Sequence, residues 1–516
     1  MPTVNASSMY ASVLPQSMES SEPPLERPAH RGIVYAALAT LVTALLMAMF
    51  MSPFYALSSV AVAVCAIVFL FTGHSRSLPQ DPMGLFVCLI LILLPLAPAL
   101  GGGGTVVRSS LALVSLVLLF LRFRHIRSLR YGPQFGLLVL SLGIVLLGLW
   151  LFSPAFWYGA SRYLNWVMFL PLGLVVATYG RLGSYMFGLL SAGGLQGAGV
   201  YLQLNGRYGG TWGGLSLNPG VPQSSAAAEW LTRYTGFALN PNNMGLIAGA
   251  STVALLVLAV APGAVRPRVA CILFSLAFFY LVLLSNSRTA LVATGVGVVV
   301  GLLLTSVRAA VIGITAMSVA TVLLLTSTWA QIEVLLQSLG GIASATDDSY
   351  LARISLWSDY LSHVHGVEVV IGRGFGAVNP DLYDHVSSIG VDQSLLKAGT
   401  VDNSWIKLVI EGGVFLAVLM ALIISLSAWS GFEGYRLSRL HGIQTTGYVV
   451  PLSLFPMMIW ASASYDVFDI NPWNGLIWVL VGLCYLTPDW KLRSEGGGRA
   501  VGPRGSDGSS IRWPVA

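Results

Sequence analysis

Charge is what this sequence has least of. Asp, Glu, Lys and Arg together make up 9% of its 516 residues, where soluble domains carry about 25%. With 55% hydrophobic residues, that shortage excludes a soluble globular enzyme and points to an integral membrane protein. Cysteine is scarce too. Cys65, Cys88, Cys271 and Cys484 each stand alone in an apolar run. That excludes a disulfide framework or a thiolate metal site and leaves them as small buried hydrophobes. No metal or other cofactor is expected. The net charge of +6 comes from arginines scattered at the ends of apolar runs, so no nucleic-acid partner is expected. No clear internal repeat is visible. Residues 1–32 are rich in Ser, Pro and Glu and lack the pattern of a signal peptide. They read as a disordered cytoplasmic tail, and residues 491–516 as a second.

What remains is mostly apolar helix. A span needs about 20 apolar residues. Fourteen stretches qualify, near 33–51, 54–72, 83–100, 105–121, 135–152, 164–179, 183–202, 243–261, 268–285, 289–305, 309–327, 404–429, 447–463 and 472–487. Several are short, so a count of twelve or thirteen is open. Basic residues gather on the cytoplasmic side of a membrane. With the N-terminus inside, Lys and Arg divide 18 inside to 9 outside, and both termini are cytoplasmic. The outside set is Arg108, Arg162, Arg207, Arg233, Arg288, Arg353, Arg373, Lys397 and Lys407. Inside arginines are explained by the charge rule. Outside ones need another reason, above all where they border a span and an unpaired charge is costly.

The expected fold is therefore all-α: a polytopic transmembrane helical bundle of about 12–14 spans, with one large extracytoplasmic loop domain containing short helices. Residues 33–327 form the N-terminal transmembrane bundle, 328–403 the loop, and 404–490 the C-terminal transmembrane helices. The loop and the outward segment 203–242 hold most of the polar residues able to do chemistry. The bundle reads as scaffold, and the loop as lid and half of an active site.

Four constellations stand out. Asn240-Pro241-Asn242-Asn243 is a turn followed by a helix, with Asn242 or Asn243 as its N-cap. A site-lining role is open beside that. Tyr208, Trp212, Trp230 and Tyr234 upstream suit an interfacial belt or stacking on sugar rings. Ser285-Asn286-Ser287-Arg288-Thr289 links two apolar spans so tightly that Arg288 must sit at the membrane–water boundary. It either snorkels to headgroups or presents a planar fork to a lipid-linked phosphate. In 349–364, Leu351, Ile354, Trp357, Leu361 and Val364 recur at helical spacing, an amphipathic helix lying on the membrane or on the bundle. Arg353 and Trp357 share its side. The Gly372, Gly374 and Gly376 cluster that follows has no βαβ unit around it, so it marks close backbone approach, not a dinucleotide site. Finally, Asp402 or Asn403 caps the helix that continues to Glu411-Gly412-Gly413. Glu411 lies about two turns inside the membrane, where an ionisable residue is a functional candidate by default. His363, His365 and His385 read as surface residues.

Taken together these elements resemble the O-antigen ligase/polymerase superfamily of extracytoplasmic glycosyltransferases. The resemblance rests on the many spans, Asn240-Pro241-Asn242, Ser287-Arg288-Thr289, and the large late loop with Arg353, Trp357, Gly372–Gly376 and Asp402-Asn403 before Glu411-Gly412-Gly413. It covers roughly residues 230–430. It implies a glycan donor on a polyprenyl diphosphate in the bacterial cytoplasmic membrane. It implies a glycan or lipid-linked acceptor whose hydroxyl attacks the anomeric carbon, and a metal-independent displacement of the carrier diphosphate. A chain-length regulator and a flippase are implied as further partners, beside the membrane lipids. On this resemblance Arg288, Arg353 and Asp402 are the catalytic candidates: the arginines hold the leaving diphosphate and Asp402 is the base. Arg207, Arg233, Asn242, Trp357, Asn403 and Glu411 are the substrate-binding candidates. Many ligases that act on the lipid A core carry His where Asp402 stands. That departure favours polymerisation of O-antigen or exopolysaccharide repeat units over ligation. A lipid-linked oligosaccharide flippase and a passive export scaffold are the readings from other classes. The site expectation is that Arg288, Arg353 and Asp402 converge on one outward-open cavity near the membrane surface.

Overall fold

The computed structural model describes residues 82–100, 132–151, 169–179, 182–207, 211–212, 215–217, 221–222, 232–260, 265–305, 360–362, 364–375, 403–440, 445–468 and 473–485, with isolated positions between them. The two expected tails, most of the 328–403 loop, and the candidate spans 33–51, 54–72 and 309–327 lie outside the described residues.

The helices are α1 (Pro82–Leu96), α2 (Gly132–Leu151), α3 (Leu170–Tyr179), α4 (Leu182–Leu204), α5 (Pro241–Val260), α6 (Val265–Leu284), α7 (Arg288–Thr305), the single turn α8 (Glu368–Ile371), α9 (Ser404–Leu440), α10 (Thr446–Ser462) and α11 (Trp473–Leu483). Apart from α8, each falls on one of the apolar stretches read from the sequence. The protein is an all-α polytopic membrane protein: α2, α5, α7 and α9 are long and apolar enough to cross a membrane, and shorter apolar helices accompany them. Two ladders of two residues each were not foreseen. Thr211–Trp212 (β1) pairs with Leu215–Ser216 (β2), and Val221–Pro222 (β3) with Thr232–Arg233 (β4), both antiparallel. They satisfy backbone groups in the Gly- and Ser-rich segment between α4 and α5.

The bundle is organised around α5. All of its residues except Asn242 and Val260 are buried, because α4, α6, α7 and α10 pack against it. A helix apolar on every side is stable only in such a position. Close approach depends on small residues, as helix contacts in a membrane generally do. A side chain at Gly249 would meet Thr294 of α7, and one at Gly297 would meet Val253 of α5 and Met457 of α10. The outer helices are two-faced. In α2, Phe135, Val139, Leu142, Leu146 and Leu149 are buried while Leu137, Leu140, Ile144, Leu147 and Leu151 are exposed, the apolar exterior a lipid-facing helix requires. Cys88, Cys271 and Cys484 are buried free thiols.

Helix α9 is broken. Gly413 has φ 68° and ψ 179°, so the helix stops and restarts, leaving the carbonyls at the end of its first part without their usual donors. The loop supplies replacements: Arg373 N–H donates to the Ile410 carbonyl at 2.9 Å and Gly374 N–H to that of Glu411 at 2.9 Å. Both chains need glycine there. Gly372, at φ 74°, leaves no room for a Cβ against the Glu411 carbonyl, nor does Gly413 against that of Val370. The loop then reaches α2, where Phe375 N–H donates to the Leu149 carbonyl at 3.2 Å and Ser153 Oγ to the Phe375 carbonyl at 2.6 Å.

The amphipathic segment before it docks through only part of the expected face, Trp357 and Val364. Tyr360 and Val364 are buried with Ile410, and Trp357, Ala377 and Ile406 pack around them, whereas Ile354 and Leu361 are exposed. The face is set by what α9 offers, Ile406 and Ile410, and not by the helical moment of the segment alone. Gly372→Ala and Gly413→Ala should each destabilise the purified protein by about 2–3 kcal/mol, through strain at positive φ and the clash across the break. Gly295→Ala, where nothing lies within 4 Å, should be neutral; thermal unfolding in one detergent compares the three.

Candidate functional site

Three helices begin at one end of the bundle, and a polar side chain caps each start. Asn240 Oδ1 accepts the backbone N–H groups of Asn242 and Asn243 at 2.8 and 3.3 Å. The cap of α5 is therefore Asn240, not Asn242 or Asn243 as the sequence suggested. The reason is Pro241: a proline is best placed at the first helical position, which makes the residue before it the cap. Ser287 Oγ accepts the Ala290 N–H at 3.2 Å and caps α7. Asn403 Oδ1 accepts the N–H groups of Trp405 and Ile406 at 3.0 and 3.1 Å, so Asn403 is the cap of α9.

Side chains tie the three starts together. Asn242 Oδ1 accepts Ser287 Oγ at 2.7 Å and Arg233 Nη2 at 3.0 Å, and Arg233 Nε reaches the Ser285 carbonyl at 3.5 Å. Arg233 and Asn242 thus join the start of α5 to the link before α7. Arg288 is the first residue of α7 and half-buried. Asn286 before it takes φ 50°, a conformation asparagine tolerates better than most residues, and so reverses the chain within three residues.

The second tie is the turn after α10, which the sequence reading passed over. Thr289 Oγ1 and Ser464 Oγ lie 3.0 Å apart. Asn403 Nδ2 donates to the Ala463 carbonyl at 2.8 Å, Ser404 Oγ to that of Tyr465 at 3.0 Å, and Trp405 Nε1 to Ser462 Oγ at 2.8 Å. Tyr465 OH and Trp473 Nε1 both donate to Asn243 Oδ1, at 2.9 and 3.0 Å. The start of α9 is so held against the starts of α5 and α7.

Within that turn Asp466 is 2% exposed. Its Oδ2 is paired with Lys407 Nζ at 2.5 Å, and its Oδ1 has no hydrogen-bond partner among the described residues. A buried carboxylate oxygen left unpaired costs on the order of 1–3 kcal/mol, and such atoms call for a functional or ligand-based account. The signal that could have found it is composition: with charge so rare, an acidic residue in a short link between two apolar spans is conspicuous.

A third support lies behind the site. Gln203 Oε1 accepts the N–H groups of Thr235 and Gly236 at 3.2 and 3.1 Å, and Gln196 Oε1 that of Ala238 at 2.9 Å. These buried glutamines of α4 fix the turn between Arg233 and Asn240, including Leu239 in a left-handed conformation at φ 54°. A glutamine inside an otherwise apolar span was their signal in the sequence.

The remaining candidates fall as follows. Glu411 is 4% exposed, next to the α9 break. Trp357 packs against the first part of α9, its Nε1 buried with no hydrogen-bond partner among the described residues. Arg207 is exposed just past α4, outside the hydrogen-bonded chain that links the helix starts. His365 is exposed. Arg353, Asp402, His363 and His385 lie outside the described residues, although the neighbour of Asp402, Asn403, is in the cluster.

Chemically, this end of the bundle is suited to an anion. Each helix start brings the positive end of its dipole to this end. Arg233 and Arg288 stand beside two of them. Lys407→Met should destabilise the protein by about 3–5 kcal/mol, because it leaves the Asp466 carboxylate buried without its cation. Lys407→Met with Asp466→Leu should recover most of that loss in thermal unfolding of the purified protein.

The family comparison covers part of this cluster. Residues 272–421 match the family model described as O-antigen ligase, a stretch running from α6 through the α7 start and the loop to the second part of α9. No curated protein matches the chain. Over residues 272–421 the chain is thus similar to the O-antigen ligase family.

Proposed function

We propose that the protein is a glycosyltransferase of the outer face of the bacterial cytoplasmic membrane. In this reading it polymerises polyprenyl-diphosphate-linked repeat units into O-antigen or exopolysaccharide. The observation that carries the reading is the gathering of the α5, α7 and α9 starts, with Arg233 and Arg288, where the α7 and α9 starts belong to the segment similar to the O-antigen ligase family. Both termini are cytoplasmic in this reading and the loop is extracytoplasmic.

The chemistry is a displacement at the anomeric carbon. An acceptor hydroxyl loses its proton, its oxygen bonds to the anomeric carbon, and the bond from that carbon to the carrier diphosphate breaks. Charge builds on the departing diphosphate. Arg288 and Arg353, with the helix dipoles, stabilise it without a metal, a type of stabilisation often worth about 10²–10³ in rate. Asp402, preceding the cap of α9, takes the proton. Asp466 and Lys407 hold the α9 start beside it. Ligation of the glycan to a lipid A core or another acceptor is the second reading, favoured by the description of the matching family. Asp402 in place of the histidine of many core ligases favours polymerisation.

The test is glycan profiling of a deletion strain carrying wild type, Arg288→Ala, Arg353→Ala or Asp402→Asn at matched protein levels. Surface polysaccharide stopping at one repeat unit is the expected result. Polymer that forms but stays on the carrier lipid would establish ligation. Normal polysaccharide in every variant would overturn the site. Turnover of a lipid-linked donor by the detergent-purified protein, with no ion gradient, separates an enzyme from a flippase or scaffold.

A further inference from the structure

The polar loop contains an apolar run that stands exposed among the described residues. Val367, Val369, Val370 and Ile371 are 68%, 41%, 54% and 56% exposed, and only Glu368 interrupts them. Uncovered aliphatic runs of this kind on a folded surface mark a contact with something apolar.

The position of the run identifies the contact. Directly after it, Arg373 and Gly374 bond to the carbonyls of Ile410 and Glu411, and the Val370 carbonyl lies against Gly413. The next residues of α9 are its lipid-facing ones: Val414, Phe415 and Val418 are 45%, 54% and 49% exposed on a helix able to cross a membrane. The apolar run of the loop and the apolar exterior of α9 are therefore continuous. The adjoining charges are muted, since Arg373 Nε and Glu368 Oε2 pair at 3.3 Å. An arginine there can keep its head among headgroups while its neighbours enter the acyl region.

We propose that Val367–Ile371 is a membrane wedge. It inserts among phospholipid acyl chains of the leaflet at this end of the bundle and sets the height of the loop above the bilayer. The wedge does not depend on the glycosyl-transfer reading.

The experiment uses the full chain with its four cysteines replaced by alanine, in nanodiscs of phosphatidylcholine and phosphatidylglycerol without any glycan donor. Single nitroxide labels are placed through Val370→Cys, Ile371→Cys, Phe415→Cys and His365→Cys. Collision with oxygen against a water-soluble nickel chelate reads the surroundings of each. Labels at 370 and 371 should prefer oxygen severalfold over the label at 365 and match the label at 415. Preference for nickel, as at 365, would overturn the wedge. Protection from both reagents would overturn it too, and would assign the face to protein; dipolar broadening would then identify a second copy. Oxygen preference at 415 certifies insertion of the bundle in each preparation. Val370→Asp with Ile371→Asp should move a label at Val367→Cys to the nickel-accessible side.

Discussion

A helix that begins inside an apolar bundle must find acceptors for N–H groups that its own carbonyls cannot reach. In water this is a minor matter; beside lipid each unmet group is costly. The polar end of this protein is largely the solution to that requirement, met three times. Asn240, Ser287 and Asn403 each cap a helix, and the side chains and backbone around them join the caps into one hydrogen-bonded cluster. The arrangement that satisfies the backbone also brings the positive ends of three helix dipoles to this end. In the proposed reaction that placement would favour the departing diphosphate.

The break at Gly413 extends the same logic to the loop. A discontinuous helix has carbonyls to satisfy midway, and the loop donates to them through Arg373 and Gly374. The loop is thereby fastened to the helix whose start belongs to the cluster. In the proposed function a loop fastened in this way would serve as the lid of the site. In the proposed reaction that matters, because glycosyl transfer from a diphosphate carrier depends on aligning donor and acceptor at a membrane boundary.

Buried charge is used sparingly. Lys407 and Asp466 are paired within the cluster, at a place where either alone would be destabilising. Their pairing joins the first turn of α9 to the turn after α10. With Tyr465 and Trp473 on Asn243, the C-terminal helices become part of the site and not merely its support.

Apolar runs of span length determined, by sequence alone, the membrane class, the helical fold and nearly every described helix, because backbone in lipid has few alternatives to a helix. Composition also marked the polar places: Asn240–Asn243, Ser285–Thr289 and the Asn403–Gly413 stretch. Tertiary structure decided that Tyr360 and not Leu361 docks the loop helix, and that Ser462–Asp466 and the α4 glutamines complete the cluster. Those facts depend on partners tens to hundreds of residues away, and local periodicity carries no information about them. A capping residue can be read from its own neighbours; the acceptor that a buried tyrosine or lysine finds across the bundle cannot.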